Sequence, residues 1–199
     1  MAVVPVVGQL EQGLQVAAGS ILKTINGKTS GGHKGTILRI ETMENIEESK
    51  LTVPYLIRLV RAEPDPKRLE AIESLVAHDN PNVRFRSLEV ASYFYYPHLN
   101  EICLKLLSDS HWAVRLATCE YACIADIVID PRVPLHLIKN DSNDYIKYHA
   151  AALLGKVGTQ ENILEMLILS EQVTGENHEG TTVKDMLLIS INRINSNKQ

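Results

Sequence analysis

Asp109-Ser110-His111-Trp112-Ala113-Val114-Arg115 is the middle of three near-copies in this chain. Asp79-Asn80-Pro81-Asn82-Val83-Arg84 precedes it, and Asp141-Ser142-Asn143-Asp144-Tyr145-Ile146-Lys147 follows it. Val83 to Val114 is 31 positions and Val114 to Ile146 is 32. Each copy opens with Asp and a polar turn. An aliphatic residue and a base follow, then an apolar, Ala-rich helical stretch. A fixed period of this size marks stacked helix pairs. It also sets an expectation about function, because such stacks make long binding surfaces and most do no chemistry.

Outward from the three turns, helices are expected in pairs from about residue 50. They cover 51–61, 65–77, 83–95, 98–107, 113–126, 132–139, 145–155, 160–172 and 182–194. Pro54, Asp65-Pro66, Pro97 and Asp130-Pro131 mark starts, since Asp caps a helix and Pro suits its first turn. Gly155 and Gly158 are read as ending the seventh. The loop 173–181 is longer, and Asn195–Gln199 reads as a polar tail. Before the array, Val6, Leu10, Leu14, Ala17, Ile21 and Ile25 recur at helical spacing. Asn26-Gly27 ends that helix, and 28–35 is a Gly-rich loop. Thr36–Ile40 fits a short strand or the start of a helix, and the sequence leaves both open. Residues 1–48 are therefore expected to form an N-terminal cap, 49–195 the repeat array and 196–199 a tail.

Alignment on Val83, Val114 and Ile146 gives the core. Four positions on are Ser87, Thr118 and Ala150, all small. Seven and eight on are Val90 and Ala91, Tyr121 and Ala122, Leu153 and Leu154.

The Asp, turn, aliphatic, base and Ala-rich helix pattern resembles the HEAT repeat, more closely the short bacterial HEAT-like repeats of the phycobilisome-lyase type. The resemblance covers residues 65–158 well and 159–195 weakly, and leaves 1–48 outside. It implies an all-α fold, a right-handed α-solenoid of antiparallel helix pairs. It also implies that Asp79, Asp109 and Asp141 are turn acids that meet the bases Arg84, Arg115 and Lys147 within or between repeats. The spacing departs from regularity: Asp79 to Arg84 is 5, the other two pairs 6. Lys147 cannot fork onto a carboxylate as Arg can.

In such stacks the second helices line the concave face. Positions two, three and six after the aligned aliphatic are expected to face outward there. They read Phe85, Arg86 and Glu89, then Leu116, Ala117 and Glu120, then Tyr148, His149 and Ala152. With Tyr93 and Trp112 they mix aromatic area with both charge signs, as interfaces do. The expected partner-binding set is Phe85, Arg86, Glu89, Tyr93, Trp112, Leu116, Glu120, Tyr148 and His149.

Signals for chemistry are weak. Cys119 and Cys123 share a helical face, but no second ligand pair stands at zinc-site spacing. Together with Cys103 they read as buried small hydrophobes in a reducing compartment. The histidines form no metal pair. Gly27-Lys28-Thr29 resembles the end of a phosphate-binding loop, but the first Gly of that motif is replaced by Leu22 and a helix precedes it. No nucleophile elbow or triad order appears. No catalytic residue, metal or cofactor is expected.

The chain has 199 residues, 20 Lys and Arg against 24 Asp and Glu, and a net charge of -4. That makes nucleic acid a poor partner. No secretory signal and no membrane-length apolar run is read, so a cytoplasmic protein is expected. The expected function is a non-catalytic protein-binding scaffold, such as an immunity protein that neutralises a toxin with a basic face. A phycobiliprotein-lyase-like chromophore-handling subunit is the alternative. A HEAT-like DNA glycosylase is disfavoured, because Glu89 and Glu120 recur on the face that DNA would need.

Overall fold

A computed structural model describes residues 51–125, 127–173 and 180–197. Contacts divide the chain into 1–40 and 41–199, and the described residues all lie in the second unit. The expected cap over 1–48 lies outside them, as does most of the loop 173–181.

The described residues are all-helical. The helices are α1 (Val53–Arg61), α2 (Asp65–Val76), α3 (Pro81–Tyr93), α4 (Leu99–Leu107) and α5 (Trp112–Ile124). Then come α6 (Arg132–Asn140), α7 (Asp144–Val157), a 3-10 turn at Gln160–Asn162, α8 (Ile163–Gln172) and α9 (Val183–Ser196). Each helix expected within the described residues is present, with ends moved by a few residues. Gly155 is the clearest difference. It lies inside α7 and is buried, and Gly158 caps that helix.

Local chemistry explains the starts. Asn80 Oδ1 accepts from Asn82 N at 2.9 Å, and Asn143 Oδ1 from Tyr145 N at 3.0 Å. His111 Nδ1 accepts from Ala113 N at 3.3 Å. Each satisfies one of the backbone donors that a helix start leaves orphaned. Thr182 and Asp185 form a reciprocal capping box at α9. Counted from these caps, Val83, Val114 and Ile146 fall at the same place, and all three are fully buried. Ser87, Thr118 and Ala150, four on, are buried too. The Ser87 and Thr118 hydroxyls donate to the Arg84 and Val114 carbonyls of their own helices, both at 2.6 Å, so their burial leaves no polar atom unmatched.

Helices α2 and α3, α4 and α5, α6 and α7, and α8 and α9 pack as consecutive pairs. The second members also touch in order: α3 with α5, α5 with α7, α7 with α9. Helix α1 packs on α2 and α3. The core therefore runs along the row of second helices. Its residues Val90, Ala91, Ala122, Leu153 and Leu154 are fully buried, and Tyr121 nearly so.

Candidate partner-binding surface

Arginine forks tie the second helices together. Arg84 on α3 donates through Nε to Asp109 Oδ2 at 2.8 Å and through Nη2 to Oδ1 at 2.9 Å. Its Nη1 donates to the carbonyls of His78 and Asp79, both at 2.8 Å. Arg115 on α5 repeats the arrangement. Nε and Nη2 reach Asp141 at 2.7 and 3.1 Å, and Nη1 reaches the carbonyls of Asp109 and Ser110 at 2.8 and 3.1 Å. Each guanidinium thus grips its own turn and the acid of the next turn. Bidentate pairs of this kind are the strong ones.

The acids are held twice. Asp109 Oδ1 also accepts from His111 N at 2.8 Å, and Asp141 Oδ1 from Asn143 N at 3.0 Å. Burial pushes both carboxyls up, but the arginine and the backbone N–H outweigh it, and both sit below the usual range.

Asp79 is not the first member of this series. In the first turn the residue two before the cap is His78, whose Nδ1 accepts from Asn80 N at 3.0 Å, as Asp109 and Asp141 do. His78 is six residues before Arg84, the same spacing as Asp109 to Arg115. The irregular spacing from Asp79 was therefore a matter of register. Position 53, 25 residues before His78 as Arg84 is before Asp109, is Val53 rather than a base. An acid there would have no fork to meet. At the other end Lys147 Nζ turns back to Asp144 Oδ1 at 3.1 Å. Lys156 on α7 adds a different link, donating to the Ala122 carbonyl at 3.0 Å and to the Ala125 carbonyl at the end of α5. A cation there suits the negative end of the helix dipole.

The expected binding residues divide into three groups. Phe85 is 7% exposed, so the expectation that it faces outward is corrected. Helix α3 has α1, α2, α4 and α5 around it, and the Arg86 guanidinium lies 5.1 Å from the Phe85 ring centroid. Ala117 is buried as well. Arg86, Glu89, Leu116, Glu120, Tyr148 and His149 are half-buried. Glu120 and His149 join α5 to α7, with Oε1 3.4 Å from Nε2. Burial raises the carboxyls of Glu89 and Glu120, against the nearby Arg86 charge in the case of Glu89. Burial also lowers Arg86, and its Nε is buried without a hydrogen-bond partner among the described residues. Only Trp112, 46% exposed, and Tyr93, 51% exposed, present large open area. Trp112 stacks on His111 at 6.1 Å as it opens α5, and Tyr93 meets Phe94 edge-on at 5.0 Å as it closes α3.

Cys103 and Cys119 are buried and Cys123 half-buried. Burial pushes the Cys103 thiol up to about 12, Cys123 to about 11 and Cys119 upward too. Such thiols are poor nucleophiles and poor ligands near neutral pH. Among the described residues no group of three or more His, Cys, Asp and Glu side chains could hold a metal ion. No helix there is long and apolar enough to cross a membrane.

Sequence reasoning missed other exposed large hydrophobic residues, Tyr95, Ile124 and Val128 among them. Val128 carried no sequence signal, because Ile127-Val128-Ile129 is apolar throughout, and only the burial of the two isoleucines sets it apart. Compared with protein-family models, curated proteins and solved structures, the chain finds no significant match in any of the three.

Proposed function

We propose that the chain is a right-handed α-solenoid of HEAT-like helix pairs and acts as a non-catalytic protein-binding scaffold. Its partner in this reading is a protein with a basic face, and the role is that of an immunity protein covering a toxin. The observation that carries the reading is the forked coupling of Arg84 to Asp109 and Arg115 to Asp141, which fixes α3, α5 and α7 as one continuous row. A row held that way presents Trp112, Glu89 and Glu120 in a set relation, with little ordering left to do on binding. Half-buried carboxylates on that row favour a basic partner and a steered encounter.

The test is co-purification of the partner followed by binding kinetics on the full chain. Trp112→Ala should cost about 2 kcal/mol, mainly through faster dissociation. Glu120→Lys should slow association, with an effect that fades as salt screens it. A partner that binds both variants as it binds the wild type would remove this row from consideration.

A further inference from the structure

We draw no further inference here: the strongest candidate, the exposed apolar face of α8 formed by Leu164, Leu167 and Ile168, carries nothing because nothing in the structure shows what covers it.

Discussion

The junctions between successive second helices are made in two ways. Between α3 and α5, and between α5 and α7, an arginine forks onto an aspartate. Between α7 and α9 no such fork forms among the described residues. Lys147 pairs within its own helix, and positions 172 and 173, where a third acid would fall, are Gln172 and Val173. Small residues do the work instead. Ser190 Oγ donates to the Ala151 carbonyl at 2.8 Å, and a Cβ placed on Gly155 would lie 2.5 Å from that same Oγ. A fork fixes register through direction and charge. A glycine–serine contact fixes it through how closely two backbones can approach. The chain changes from one device to the other at the point where its repeat signature fades.

Removing a fork should have the largest effect. Asp141's side chain is 3% exposed, and Arg115→Ala would leave it buried and unpaired apart from one backbone N–H. The expected loss is about 3 kcal/mol of unfolding free energy, read by denaturant titration. The pH sets its sign. Asp141 is depressed in the folded state, so the fork's contribution is complete above the unfolded carboxylate value of ~3.9 and is lost as the pH falls through the folded value. The gap between wild type and Arg115→Ala should therefore narrow below about pH 4. A constant gap would mean that the arginine acts by packing and not by charge.

Gly155→Ala should come next. Its new methyl meets Ser190 Cβ at 2.7 Å and Cα at 3.0 Å, so the backbone of α9 must move and not merely a rotamer. About 2 kcal/mol is expected, in the range for overpacked cores. Gly155→Ala combined with Ser190→Gly should recover most of it. If the single variant is neutral, the close approach is not what joins α7 to α9. Lys147→Ala should cost less than about 1 kcal/mol, because its pair is a single contact within one turn of one helix. A loss as large as that of Arg115→Ala would erase the distinction between the two kinds of junction.

The parts legible in the sequence were those governed by local rules. Helix existence followed from caps, prolines and apolar spacing. That Arg84 and Arg115 meet turn acids was expected from the repeat resemblance, which left open whether each met the Asp of its own repeat or of the next, and the structure shows the next. What failed depended on neighbours. Phe85 sits at a position that helical spacing alone points outward, but α1 lies beside α3 and no repeat signal announced it. Gly155 looked like a helix end because glycine favours ends, whereas here it makes room for Ser190. His78 was passed over for Asp79 because an acid was sought, and hydrogen-bond geometry fills the turn with an imidazole nitrogen equally well. Tyr95, left-handed with φ at 52°, carried no sequence signal at all, since its strain is visible only in φ.

The smallest expected effect separates two charged contacts that cross the same junction. Beside the Arg115–Asp141 fork, Glu120 meets His149 across α5 and α7 at 3.4 Å. The two carboxylates shift in opposite directions, Asp141 down and Glu120 up, because burial is not outweighed at Glu120. A raised carboxyl binds its proton more tightly in the folded state, so ionising it opposes folding. That penalty is absent below the unfolded value of ~4.3 and grows as the pH rises through the folded value. Glu120→Gln should therefore raise stability slightly near pH 8, by about 0.5 kcal/mol or less, with no gain near pH 4. Melting temperatures of wild type, Glu120→Gln and Asp141→Asn across pH 4 to 8 give the comparison directly. Asp141→Asn should fall below wild type at every pH above about 4, while Glu120→Gln crosses to the stable side. If Glu120→Gln falls with Asp141→Asn, then Glu120–His149 is a structural link like the fork, and the row has less freedom to offer that carboxylate to a partner.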